Sequence, residues 1–200
     1  MRLSGGEAEM MEKRIGDWRC VVALPPRNDT EAVVEESWHL SMSGGVDFEG
    51  QHFQLPEGCR VSAEVRWLEP ALLHVRLSLN APVVGRCARC LEPASLAISD
   101  ELLYLYSLLG LELGKDTRLV SDEGFMPVEV EAFGRTLDLS DQVWESLLLL
   151  LPLKPLCKGD CSGLCPGCGA DLNKGPCTCS GVEGDPRLEV LRRFSVEQDS

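Results

Sequence analysis

Between residues 59 and 79, apolar and polar positions alternate with a period of two. Val61, Ala63, Val65 and Trp67 alternate with Ser62, Glu64 and Arg66; Glu69-Pro70 interrupts; then Leu73, Val75, Leu77 and Leu79 alternate with His74, Arg76 and Ser78. Successive side chains of a strand point to opposite faces, so each run predicts a half-buried strand and the two together an antiparallel hairpin. Residues 83–86 extend the second strand toward a cysteine pair. Residues 96–109, with Leu102, Tyr104 and Tyr106 on one face, predict another strand, and residues 128–133 a shorter one. Upstream, residues 19–25 and 31–42 carry β-favouring side chains and read as short strands. Gly44, Gly45, Gly50 and Gly58 punctuate a stretch expected to be rich in loops.

The period changes over residues 137–151. Val143, Trp144, Leu147, Leu148 and Leu151 form a broad apolar stripe at helical spacing. Asp138 or Ser140 can cap such a helix, Asp141 and Glu145 suit its early turns, and Pro152 and Pro155 end it. Gly- and Cys-rich sequence follows, from 156 to 184. Asp185-Pro186 then opens a last helix in which Leu188, Leu191 and Phe194 require a packing surface. The expected fold class is α+β, with three parts. A flexible tail spans 1–14. Residues 15–155 form one domain, an antiparallel sheet or partial barrel packed against the Leu-rich helix. Residues 156–200 form a zinc-stapled loop module and a C-terminal helix on that same domain.

Composition narrows the setting. With 44% hydrophobic and 26% charged residues, the 200-residue chain can build a sizeable core. Its net charge of −13 disfavours phosphate backbones at long range and suits a basic partner, besides keeping the chain soluble. The first residues lack the apolar stretch of a signal peptide. The longest aliphatic run, residues 147–151, falls far short of the roughly 20 residues that span a bilayer. No membrane association and a cytoplasmic location are expected. In a reducing cytosol ten cysteines are read as metal ligands rather than disulfides.

Eight of those cysteines form a constellation: Cys87-x2-Cys90, Cys157-x3-Cys161, Cys165-x2-Cys168 and Cys177-x-Cys179. Cys165-Pro-Gly-Cys168-Gly169 has the form of a zinc knuckle. Two intervening residues let two thiolates meet one ion at about 2.3 Å, and backbone N–H groups of the turn can face the sulfurs. Cys177 and Cys179 complete a closed site. Cys87, Cys90, Cys157 and Cys161 make a second, which would staple the C-terminal region to the sheet. Interleaved pairings, one shared thiolate cluster, an iron–sulfur cluster and a redox role for Cys87-x2-Cys90 stay open as alternatives. A closed four-thiolate site has no free coordination position, so the expected role of one or two zinc ions is structural. Cys20 and Cys59 are read as ordinary core or surface cysteines, and His39, His52 and His74 as structural. No phosphate loop or nucleophile elbow is present, so no enzyme activity or small-molecule substrate is expected.

The ordered motifs resemble a known family. Residues 85–93 read Gly-Arg-Cys-Ala-Arg-Cys-Leu-Glu-Pro. Leu137-Asp-Leu-Ser140 opens a helix ending Leu150-Leu-Pro152. The Cys-rich string from Leu156 to Asn173 follows, then Cys177-x-Cys179 and Asp185-Pro-Arg-Leu188. Together these resemble the YceD-like large ribosomal RNA subunit accumulation proteins over residues 59–195. The resemblance implies a non-enzymatic role in 23S ribosomal RNA accumulation and large-subunit assembly. Some relatives lack most of these cysteines, which makes zinc a feature of this branch. A basic ribosomal protein or an assembly intermediate is the expected partner. Direct RNA binding by the zinc module, with Arg86, Arg89, Arg187, Arg192 and Arg193 converging, is the second reading. A thiol redox or zinc-release sensor is the third.

Overall fold

A computed structural model describes residues 18–111 and 124–179. Its strands are β1 (Val21–Ala23), β2 (Val33–Phe48), β3 (Gln51–Glu69), β4 (Leu72–Arg86), β5 (Pro93–Leu108), β6 (Met126–Val130) and β7 (Thr136–Asp138). One helix, α1 (Ser140–Leu150), occurs among the described residues. Strands β2 to β5 form an antiparallel meander, and β6 adds to it in parallel beside β5, giving the order β2-β3-β4-β5-β6. Strands β1 and β7 pair separately and antiparallel.

The alternation read from the sequence sets the two faces. Val34, Val65, Val75 and Tyr104 stand in one cross-strand row, and Ala63, Leu77 and Leu102 in the next. This face holds the core, and α1 covers part of it: Val143, Trp144, Leu147, Leu148 and Leu151 are all buried in the same cluster. The Tyr104 hydroxyl lies 3.0 Å from Ser146 Oγ, pinning helix to sheet. The Trp67 indole donates to the Pro25 carbonyl at 2.9 Å and stands edge-on to Phe133 at 4.8 Å between centroids. The opposite face is polar in part, with Ser62, Ser78 and Glu101 in one row and Glu64 beside Arg76 in the next. It also carries a small buried apolar cluster of Leu72, Leu105 and Phe125.

The expectation of an α+β fold is corrected. Seven strands against a single 11-residue helix make the described protein a β structure built on a five-stranded sheet. The parallel β5–β6 pair also makes that sheet mixed rather than wholly antiparallel. The expected tail and the expected helix over 185–195 lie outside the described residues. Much of the missing strand comes from the region expected to be loop, where only Glu49 and Gly50 turn between two long strands. Gly45 and Gly58 lie inside strands, at φ of +68° and +71°. The β2–β3 register shifts between Met42 and Val46 and between Leu40 and Met42, and that of β3–β4 between Gln54 and Arg60. These glycines therefore serve bulges that bend continuous strands, a use of glycine that resembles loop punctuation in a sequence.

The helix begins at Ser140, directly after a short strand. Residues 136–138 pair as β7, and Leu139 occupies the cap position without a side-chain cap. Asp138 nevertheless accepts the Ser140 N–H at 2.9 Å, and Ser140 Oγ accepts the Cys20 N–H at 3.0 Å. Both residues singled out as caps thus satisfy backbone donors at the helix entry, Ser140 by tying β1 to it.

Candidate metal centres

The two Cys-x2-Cys pairs build the same turn. At the first, β4 ends and β5 begins around it: the Cys87 N–H donates to the Glu92 carbonyl at 2.8 Å and the Leu91 N–H to the Cys87 carbonyl at 3.0 Å. At the second, Leu164 and Asp171 face each other across an isolated antiparallel bridge. There the Cys165 N–H donates to the Ala170 carbonyl and the Gly169 N–H to the Cys165 carbonyl, both at 2.8 Å. The residue after the second cysteine is left-handed in each, at φ +66° for Leu91 and +75° for Gly169. Glycine takes that conformation freely, whereas leucine pays about 1–2 kcal/mol for it. Leu91 is nevertheless 55% exposed.

The eight sulfurs fall into two sets of four, each with all atoms within 4.8 Å of one another: Cys87, Cys90, Cys157 and Cys161, and Cys165, Cys168, Cys177 and Cys179. Neither interleaved pairing nor a single shared cluster occurs. A tetrahedral ion with bonds of about 2.3 Å places sulfurs roughly 3.8 Å apart. Cys87 and Cys161 stand at 3.8 Å, Cys90 and Cys157 at 3.5 Å, and Cys165 and Cys177 at 3.4 Å. Both donor sets therefore fit a thiophilic dication.

The protonation of the sulfurs supports the same fit. Burial works to raise the pKa of Cys87, but N–H groups of Cys90, Cys157 and Arg89 aimed at its sulfur outweigh it and draw it down to about 6. Backbone N–H groups of Cys168 and Gly167 likewise draw Cys165 to about 6. By contrast Cys157, hydrogen-bonded to Cys90, and Cys179, hydrogen-bonded to Cys168, are each pushed up to about 12. Four thiolates cannot crowd together unneutralised, so each set divides into sulfurs that release protons and sulfurs that keep them. A bound dication removes the conflict and takes all four as thiolates.

The two sets differ in setting. In the inner one Cys87, Cys90 and Cys161 are buried and Cys157 half-buried. It joins the β4–β5 turn to a segment 67 to 74 residues further along the chain. The Ala88 N–H donates to the Pro155 carbonyl at 2.8 Å, the Leu164 N–H to the Arg89 carbonyl at 3.2 Å, and the Arg89 guanidinium to the Cys161 carbonyl at 2.8 Å. In the outer set Cys165 is buried, Cys177 half-buried, and Cys168 and Cys179 exposed. It closes a local loop.

Sequence reasoning missed three contributors. Asn173 donates its side-chain amide to Cys161 Sγ at 3.4 Å. Lys174 bridges Glu92 at 3.1 Å and Asp171 at 3.2 Å, tying the outer loop to the first turn. Leu91 occupies a glycine-type position without glycine. Asn173 and Lys174 carry no spacing signal toward Cys161 and Glu92, because those partners lie across the fold. Leu91 holds the position after a Cys-x2-Cys pair that Gly169 also holds, but its side chain gives no sign of the left-handed turn. The remaining cysteines and histidines fall outside both sets. Cys20 and Cys59 are buried in the main core, where burial pushes both thiols up to about 11. His52 pairs with Asp47 at 2.8 Å. Arg86 and Arg89 both flank the first turn, and Arg187, Arg192 and Arg193 lie outside the described residues.

Comparison with known families decides the broader identity. The family profile described as "Large ribosomal RNA subunit accumulation protein YceD" matches residues 75–195. The chain belongs to the YceD family. The matched region contains all eight clustered cysteines and α1. Uncharacterized proteins of Mycobacterium tuberculosis (strain H37Rv) and Mycobacterium bovis are each 35% identical over 99 residues, half of this chain and 44% of their own. A Mycobacterium leprae protein is 26% identical, over 59% of this chain and 58% of its own. The chain thus spans less than half the length of the first two relatives. No solved structure matches it significantly. Among the described residues no helix is long and apolar enough to cross a membrane.

Proposed function

We propose that this YceD-family protein is a cytoplasmic, non-enzymatic factor that supports 23S ribosomal RNA accumulation and large-subunit assembly, with two structural zinc ions held by its eight clustered cysteines. The observation that carries the reading is the coincidence of the family match with two closed four-thiolate sets. A site with four protein sulfurs leaves no position at which water or substrate could be activated. Tetrahedral four-thiolate sites take either zinc or iron, and zinc is the reading adopted because a closed site of this kind serves a structural role with an ion that brings no redox chemistry.

The client favoured is a small basic ribosomal protein. The chain carries a net charge of −13. On the polar face of the sheet, Glu35, Glu64 and Glu101 line a cleft of about 270 Å3 in which Arg76 pairs with Glu64 at 3.6 Å and with Glu101 at 3.3 Å. Such a surface complements a cationic chain and repels bare phosphates. Tagged protein purified at moderate salt should bring down small basic ribosomal proteins, and its depletion should lower the ratio of 23S to 16S ribosomal RNA. Recovery of bare RNA alone, with a steep salt slope, would transfer the function to an RNA-binding surface. Elemental analysis of protein prepared without added metal should give about two zinc per chain; iron or no metal would overturn the zinc assignment.

A further inference from the structure

The two cysteine sets are separate in their ligands but not in their surroundings. Asn173 lies between Cys168 and Cys177, inside the loop that the outer set closes. Its side chain nevertheless serves the inner set. The amide nitrogen donates to Cys161 Sγ at 3.4 Å and to Asp171 Oδ1 at 2.8 Å. The amide oxygen accepts the Ser162 N–H at 2.9 Å, one residue from Cys161. Its own backbone N–H donates to the same Asp171 oxygen at 3.0 Å, which fixes the direction of the side chain. The Leu172 N–H, next to it, donates to the Gly163 carbonyl at 2.9 Å.

We infer that Asn173 couples the two centres, so that metal held by the outer cysteines strengthens metal binding by the inner ones. The inference rests on the metal reading proposed above and concerns this chain's own residues around it. An ion on Cys165, Cys168, Cys177 and Cys179 fixes both ends of the loop that carries Asn173. The ordered loop then presents an N–H to one inner sulfur and holds the adjoining backbone in place. With the outer site empty, that loop must be ordered at the moment the inner site binds, and the ordering cost falls on the inner affinity. Coupling between binding sites is reciprocal, so inner occupancy strengthens the outer site by the same factor. Groups that hydrogen-bond to metal ligands typically contribute 10–100-fold in metal affinity. Asn173 is thus a positioning residue for the inner centre, although it belongs to the outer loop.

The experiment uses the full chain and cobalt(II) as the probe, because its thiolate charge-transfer absorption reports sulfur ligation and its d–d bands report tetrahedral geometry. Four proteins are titrated against a competing chelator: wild type, Asn173→Asp, the outer-disabled Cys177→Ser, and the double variant. Asn173→Asp keeps the acceptor for the Ser162 N–H but replaces the N–H donor with a carboxylate facing the sulfur. Wild type should bind two ions. The inner site should weaken about 10-fold or more in each single variant, and the double variant should add little to Cys177→Ser. Circular dichroism of the sheet should be unchanged, since Asn173 lies outside the main core. A wild type that binds two ions with an inner affinity untouched by Asn173→Asp and Cys177→Ser overturns the coupling alone. A wild type that binds no cobalt overturns the metal reading beneath it.

Discussion

Replacing Gly58 by alanine tests whether the glycines of the β2–β3 region are bulge positions. Gly58 and Gly50 have nearly the same backbone conformation, φ of +71° and +74°, but opposite surroundings. A Cβ on Gly50 would meet nothing within 4 Å, whereas one on Gly58 would collide with the backbone carbonyl of Leu40. The left-handed conformation costs an L-residue about 1–2 kcal/mol. Alanine recovers about 0.4–1 kcal/mol of that by restricting the unfolded chain. Gly50→Ala should therefore lose about 0.5–1 kcal/mol. Gly58→Ala bears the same cost plus that of displacing a ladder carbonyl, comparable to overpacking a core at about 1–3 kcal/mol, for a total of roughly 2–4 kcal/mol. Urea unfolding of the metal-saturated protein, followed by circular dichroism, reads the difference. At a slope of about 2 kcal/mol per molar, Gly58→Ala should move the midpoint down by roughly 1–2 M and Gly50→Ala by less than half as much. Equal shifts for the two variants would show that the Leu40 carbonyl is not held against Gly58, and the bulge would lose its steric basis.

Other consequences follow from the same contacts. Leu147 is fully buried between α1 and the sheet, so Leu147→Ala should destabilise by about 2–5 kcal/mol in the same unfolding assay. Inner-set Cys90→Ser should release the C-terminal segment from the β4–β5 turn, and outer-set Cys179→Ser should leave that staple in place at saturating metal. Limited proteolysis should cut near residue 155 in the first variant only. His74 is buried with Nε2 unpartnered while Arg66 donates to its Nδ1 at 3.3 Å; burial, then the charges of Arg66 and Arg76, lower its pKa. The unfolded chain takes up that proton near pH 6.5 and the folded chain only below it. The contribution of His74 is thus present above pH 6.5 and is lost as the pH falls toward the folded value. Replacing His74 with leucine should flatten the acid side of the stability profile. Cys20 and Cys59, buried and held as thiols, should resist alkylation in the native protein and react on unfolding.

What the sequence determined by itself is everything that rests on local repetition. The period-two alternation of residues 61–79 fixed which side chains face the core, since a strand presents alternate residues to one side. The helical stripe from Val143 to Leu151 fixed the face that α1 buries. The two-residue spacing of Cys87 with Cys90 and of Cys165 with Cys168 marked them as pairs able to share an ion, because the turn they require is short. The ribosome-related family is carried by the order of such motifs along the chain. Tertiary structure decided the rest. Whether Gly45 and Gly58 end strands or bend them depends on the carbonyls opposite, which a single chain segment does not contain. The predominance of strand, the parallel placement of β6 and the pairing of β1 with β7 are choices of partner made by burial across the whole molecule. The assembly of Cys87 and Cys90 with Cys157 and Cys161 depends on folding that brings distant sulfurs to within 4.8 Å. The reach of Asn173 to Cys161 is settled in the same way, since hydrogen bonds act over a few ångströms of space and not along the sequence.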